Sequence, residues 1–78
     1  MAVSLSKIRE IRNMSFIKRG MRIEVDGHIG KICSGNISDN LNVRFEGERF
    51  TRNCHPFYKT RYFDKSGNVI QDYADKPF

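Results

Sequence analysis

The stretch Met21-Arg22-Ile23-Glu24-Val25-Asp26-Gly27-His28-Ile29-Gly30-Lys31-Ile32-Cys33 decides how this chain folds. Met21, Ile23 and Val25 alternate with Arg22 and Glu24, the period of a strand with one buried face and one wet face. Asp26-Gly27 follows. Both central residues of a type I′ turn need positive φ, so this dipeptide is a strong hairpin signal. His28 to Cys33 is then the return strand. Its Ile29 and Ile32 fall on opposite faces unless the strand bulges, and Gly30 is the natural place for a bulge.

Downstream, Ser34 to Asn40 is a polar loop rich in turn formers. Leu41-Asn42-Val43-Arg44-Phe45 alternates again, with Leu41, Val43 and Phe45 inward. Glu46-Gly47 turns the chain, and Glu48 to Asn53 returns with Phe50 inward. Pro56 cannot donate to a ladder, so it ends that strand or sits in a crossover. Thr60 to Phe63 is a further strand. Asp64-Lys65-Ser66-Gly67 makes a type I turn closed by a left-handed glycine and feeds Val69 to Tyr73. The tail, 74–78, is expected to fray.

Upstream the period is helical. Leu5, Ile8 and Ile11 recur three apart between Ser4 and Asn13, with Ser4 or Ser6 as N-cap and Asn13 as the stop. A helix this short cannot stand alone in water, so its stripe must dock. Short strands with open edges bury too little as a flat sheet. The expectation is therefore a mainly β fold: a small SH3-like barrel of five or six short antiparallel strands with one short N-terminal α-helix. Residues 1–16 form the helix and linker, and residues 17–73 the barrel of a single domain.

Seventy-eight residues make one domain with a thin core. The longest apolar runs are three or four residues, far from the roughly 20 that cross a bilayer. Without a signal-peptide pattern the default address is cytoplasmic. Net charge is +5 and uneven. Through Arg22, Lys7, Arg9, Arg12, Lys18, Arg19 and Arg22 stand against Glu10 alone. From Asp64 onward the acids outnumber the lysines. Such asymmetry points to an anionic partner.

Lys18 to Ile32 resembles the opening of small SH3-like barrels of the KOW and Tudor-like type: a glycine, alternating hydrophobics, a tight turn, then Gly-Lys-Ile. That resemblance implies that Gly20 and Gly30 permit sharp bending, and that the function is binding of RNA, protein or peptide. The chain from Ile17 to Tyr73 is also similar to small uncharacterised bacteriophage and prophage proteins. The shared pattern is K-R-G-M-R-x-x-V, an Asn-rich loop before L-x-V-x-F, N-C-H-P, and Y-F/Y-D-x-x-G-x-V. This likeness implies no particular activity.

His28, Cys33, Cys54 and His55 lack the knuckle spacing of a zinc site, and one cysteine reads better as a small core residue. No catalytic arrangement forms around His55 and no phosphate-binding glycine loop is present, so neither an enzyme nor a cofactor is expected. The run Arg52 to Phe63 is different. It interleaves Arg52, Lys59 and Arg61 with Phe57, Tyr58, Tyr62 and Phe63. Rings that stack on bases, beside cations that hold phosphates, are the parts of a single-stranded nucleic-acid site. The expected contacts are Lys18, Arg19, Arg22, Arg44, Arg52, Tyr58, Lys59 and Arg61, with Lys7, Arg9 and Arg12 adding charge and Tyr58 or Tyr62 stacking. The same mixture suits a protein-binding patch, with the Ser34 to Asn40 loop gripping a host or phage protein.

Overall fold

The computed structural model describes residues 2–75, and these form seven strands and one short helix. The elements are β1 (Ala2–Val3), α1 (Leu5–Ile11), β2 (Arg22–Val25), β3 (His28–Asn36), β4 (Leu41–Phe45), β5 (Arg52–Cys54), β6 (Thr60–Phe63) and β7 (Val69–Asp72). All pair antiparallel in one open sheet of order β5-β4-β3-β2-β6-β7, with β1 added to the far end of β3. Six strands correspond to expected ones, although β3 runs longer and β5 starts later than the sequence suggests. The seventh, β1, is two residues long and carries no alternation that would reveal it. The molecule measures 29 × 27 × 25 Å, with the helix and loops completing what the sheet alone does not fill.

The Asp26-Gly27 turn sets the first register. Asp26 has φ 49° and Gly27 has φ 85°. Pairing runs from Val25↔His28 to Arg22↔Lys31 without a slip. The bulge in β3 is not at Gly30. It falls at Cys33, the extra residue between the pairs Ile32↔Val43 and Ser34↔Asn42. Gly30 has another task. A Cβ there would lie 2.8 Å from Val43 Cγ1 and 2.9 Å from the Arg44 carbonyl oxygen, so the neighbouring strand β4 leans into the space where a side chain would stand. The bulge then resets the phase, leaving Ile32 inward before it and Gly35 inward after it.

Strand β3 also runs further than its polar sequence suggests, absorbing Ser34, Gly35 and Asn36 from the expected loop. Asn36 is buried at 6% exposure, and every part of its amide is used. Its Nδ2 donates to Asn42 Oδ1 (3.1 Å) and Asn53 Oδ1 (3.3 Å), and its Oδ1 accepts from the Ser38 and Asn40 amides. A buried polar group satisfied this fully closes the turn without an apolar residue.

Strand β5 begins only at Arg52, opposite Val43. Phe50, expected inward, is 81% exposed in the preceding loop. Cys54, Pro56 and Phe57 cover that side of the core instead. The last hairpin is as expected, with the Gly67 amide donating to the Asp64 carbonyl at 3.1 Å. In β7, Ile70 is an extra residue between Tyr62↔Gln71 and Phe63↔Val69. Ala74 is tied back by its amide to Asp72 Oδ1, while the rest of the expected tail, from Lys76, lies outside the described residues.

Helix α1 starts at Ser4, whose Oγ accepts from the Ser6 amide, and stops at Asn13, with φ 54°. Leu5 and Ile8 are buried, but Ile11 is 52% exposed. Residues three apart drift about 60° per step around a helix, so the third member of the stripe turns away from the sheet. Arg12 takes the docking position instead, its guanidinium donating to the Asp39 carbonyl (2.8 Å) and Asn40 Oδ1 (2.9 Å). Ile8 sits over Gly35, where a Cβ would meet its Cδ1 at 2.9 Å.

Tyr62 occupies the middle of the core, with no exposure, and its hydroxyl donates to the Pro56 carbonyl. Phe16 and Tyr73 meet it edge-on at 5.3 and 6.1 Å. Tyr62 is thus a core residue and not a surface for stacking. The approach of β4 to Gly30 is close, and part of the obstruction is backbone. Gly30→Ala is expected to cost about 1–3 kcal/mol, read as a lower denaturant midpoint at unchanged m-value. An unchanged midpoint would mean that β3 and β4 do not approach this closely.

Candidate nucleic-acid interface

The positive charges divide into two populations. One is internally committed. Arg52 makes a two-pronged contact with Glu48, both arms 2.8 Å, and that hydrogen bond pushes its guanidinium pKa further up. Arg61 reaches Asp72 Oδ2 and Glu24 Oε2, each at 3.1 Å, with Asp75 at 3.9 Å. Lys59 faces Asp26 at 3.7 Å. Lys7 sits 3.3 Å from Asp39 Oδ1, within charge attraction but off the hydrogen-bond direction. Arg9 and Arg12 donate to main-chain carbonyls. The cations of the Arg52 to Phe63 run, and those of the helix, therefore serve the fold.

The others are Lys18, Arg19, Arg22, Lys31, Arg44, Arg49 and Lys65, of which Arg44 donates to the Glu48 carbonyl at 3.3 Å. No carboxylate among the described residues forms an ion pair with any of them. Three of the seven stand in a row across the sheet. Register places Arg22 beside Lys31 and Lys31 beside Arg44, on the outer face of three adjacent strands. One step along β2, the outward row runs the other way, over β6 and β7, and pairs Arg61 with Glu24 on one side and Asp72 on the other. One row is neutralised and the other is wholly cationic. Like charges directly opposite one another in a sheet are destabilising, so the Arg22–Lys31–Arg44 row is held against its own repulsion.

Lys18 and Arg19 join this row through a turn. The Met21 amide donates to the Lys18 carbonyl at 3.1 Å, and Gly20, at φ 83°, takes the position that a type II turn reserves for glycine. The Gly20 amide donates to the Ile32 carbonyl at 2.7 Å, which fastens the turn to β3 beside the row.

Two grooves meet at Arg19, Gly20 and Arg22. The first, about 590 Å³, runs over Lys31 and Arg44 with Ile29 and Phe45 in its wall and Glu46 and Glu48 at the rim, Glu48 being held by Arg52. The second, about 840 Å³, has Phe16, Met21, Phe63 and Ile70 as apolar lining, and Lys18 and Lys65 as cations. The Arg22 guanidinium lies 5.9 Å from the centre of the Phe63 ring. Each groove is lined by one of the two bulge residues, Cys33 in the first and Ile70 in the second. Bulges re-aim side chains and gather beside sites.

Of the eight residues expected from sequence, Lys18, Arg19, Arg22 and Arg44 come together here, while Arg52, Lys59 and Arg61 carry their own carboxylates. Tyr58 is 40% exposed, with Lys59 Nζ 5.6 Å from its ring centre, in the segment between β5 and β6. Lys31, Phe63 and Lys65 were missing from the expected set. Lys31 was accessible, because a two-residue turn at Asp26-Gly27 fixes Arg22 opposite Lys31 by counting. Phe63 was half accessible, since of two neighbouring strand residues one must face out.

The histidines and cysteines play other parts. Among the described residues no three of His, Cys, Asp and Glu gather as metal ligands, and both cysteines are free thiols. Cys54 packs against the core, and burial pushes its thiol pKa up. His55 Nδ1 accepts from the Phe57 amide at 3.2 Å, which requires an unprotonated Nδ1. Burial, and then the Arg12 charge, lower its pKa. No family model, no curated protein and no solved structure matches the chain.

Two outcomes are expected. A histidine with a depressed folded pKa contributes stability that is present above its unfolded value, about 6.5. That contribution is lost as pH falls through the folded pKa. His55→Asn keeps an acceptor for the Phe57 amide and does not titrate, so its unfolding midpoint should fall less than that of the wild type as pH is lowered from about 7. Parallel pH curves would contradict the neutral-acceptor role. Lys31→Gln relieves the cationic row and should raise stability by about 0.2–1 kcal/mol at low salt. The gain should shrink at high salt as charges are screened. A loss of stability at low salt would mean that the row is not repulsive.

Proposed function

We propose that this chain is a small cytoplasmic binding module of the phage or prophage type, built on an SH3-like barrel of the KOW or Tudor kind. Its ligand is nucleic acid, taken on the Arg22–Lys31–Arg44 row and the Lys18–Arg19 turn. The barrel assignment is supported by the order of strands: β2 to β5 form a four-strand meander and β6 returns to pair with β2. One observation carries the ligand class. In a chain that ties Arg9, Arg12, Arg52 and Arg61 to internal acceptors, three adjacent strands present cations in register with no acid between them. A polyphosphate backbone turns that repulsion into attraction by replacing condensed counterions.

The alternative is a protein-interaction module. It draws on Ile37, 65% exposed in the turn after β3, and on Phe50. These two lie at opposite ends of β4 in the chain and do not combine into one patch as the cations do.

Affinity for a labelled oligonucleotide should fall steeply with salt. Arg22→Ala, Lys31→Ala and Arg44→Ala should each weaken binding and reduce the slope of log K against log salt by roughly 0.7–0.9 for every phosphate that the variant no longer neutralises. Arg52→Ala, whose guanidinium already belongs to Glu48, should leave the slope unchanged. A flat salt response, or equal effects at Arg52 and Arg22, would overturn the assignment.

A further inference from the structure

We infer that the nucleic acid this surface accepts is single-stranded, with its phosphates on the Arg22–Lys31–Arg44 row and a base lodged against Phe63 in the adjoining groove. This deepens the reading of the cationic row and rests on it.

Three observations carry the inference. The first is the groove. Phosphate and sugar need no apolar surface, yet Phe16, Phe63 and Ile70 line a space of about 840 Å³ directly beside the unpaired cations. The space is an open groove, so a planar base reaches its apolar wall directly from solvent. The three side chains arrive there by different routes. Phe63 is the outward neighbour of buried Tyr62, Ile70 is displaced by the β7 bulge, and Phe16 comes from the segment after the helix.

The second is the relation of ring to cation. Ile23 pairs with Tyr62, so Arg22 and Phe63 are neighbours across β2 and β6, and the guanidinium lies 5.9 Å from the ring centre. The Phe63 ring thereby continues the line of Lys31 and Arg44 on the other side of Arg22. A strand laid along this line meets cations first and an aromatic face next. This is the sequence of contacts that an unpaired nucleotide makes and a base inside a duplex cannot.

The third is the absence of a duplex reader among the described residues. A major groove admits a helix or a projecting two-stranded ribbon. Helix α1 has seven residues, and Ile8 is buried against β3. Its Arg9 and its capping residue Arg12 are occupied by the Ile17 and Asp39 carbonyls. The cationic row lies on a sheet face spanning three strands, about 10 Å across at the usual strand spacing. That width suits two or three phosphates of one strand.

The test is fluorescence anisotropy at fixed low salt with three labelled probes of equal length: a single-stranded oligothymidylate, a hairpin duplex, and a single strand of abasic residues. The oligothymidylate should bind more tightly than either of the others. The abasic strand should bind roughly 5- to 150-fold more weakly, the range associated with one stacked base. Phe63→Leu should weaken oligothymidylate binding by a similar factor with no change in salt slope. The abasic comparison uses the wild-type chain, so it stands even if that variant folds poorly.

Equal affinity for the abasic strand, or tighter binding of the duplex, would overturn the single-strand inference while leaving the cationic row as a phosphate site. Binding of none of the three probes would overturn the row itself. Polyglutamate competing as well as oligothymidylate would overturn both in favour of an acidic protein partner.

Discussion

The fold depends on close approach at two glycines of one strand. Strand β3 is the hub of the sheet, paired to β2 and β1 on one side and to β4 on the other, and its inner face is bare at Gly30 and Gly35. At the first, Val43 and the β4 backbone press in; at the second, Ile8 of the helix does. A side chain at Gly30 would push into β4, and one at Gly35 would lift the helix from the sheet. Between them, Ile32 and the Cys33 bulge keep the apolar phase inward while the strand bends. The packing of β4 along β3 and the docking of α1 both presuppose these two approaches.

The same economy explains where the charge goes. With few apolar residues to spend, the chain uses arginines as long, multi-donor anchors. Arg9 and Arg12 fasten the helix through carbonyl oxygens, Arg61 ties β6 to β2 and β7 through carboxylates, and Arg52 stiffens the β4–β5 loop through Glu48. Basic composition alone is thus a poor guide to a ligand surface here. What singles out Arg22, Lys31 and Arg44 is that the sheet sets them side by side and supplies no acid to separate them.

Much of this was legible in the sequence. Strands β4 and β6 begin and end where their alternation does, the Asp26-Gly27 turn fixes the first register, and the last hairpin follows from Asp64 and Gly67. What failed, failed for tertiary reasons. Phe50 reads as an inward strand residue, but Cys54, Pro56 and Phe57 already cover the core on that side. Ile11 belongs to an apolar stripe that the helix rotates away from the sheet. The polar run Ser34 to Asn36 becomes strand because Asn36 finds four hydrogen-bonding partners at once. The site was half legible. Lys18 to Arg22 was found by charge, Lys31 follows from counting register, and the bulges that turn Cys33 and Ile70 into the grooves leave no local signal. The aromatic-basic run Arg52 to Phe63 misled because its cations have acids facing them from distant strands.

The anchoring of α1 by Arg12 has a kinetic consequence. Seven residues carry no helical stability of their own. The acceptors that hold Arg12 lie 27 and 28 positions further along the chain, in the turn between β3 and β4. The helix therefore has nothing to dock on until that hairpin has closed, which places it late in assembly. By the same reasoning it is the piece released by the smallest local opening, and its amides should exchange with solvent well before those of β2, β3 and β4.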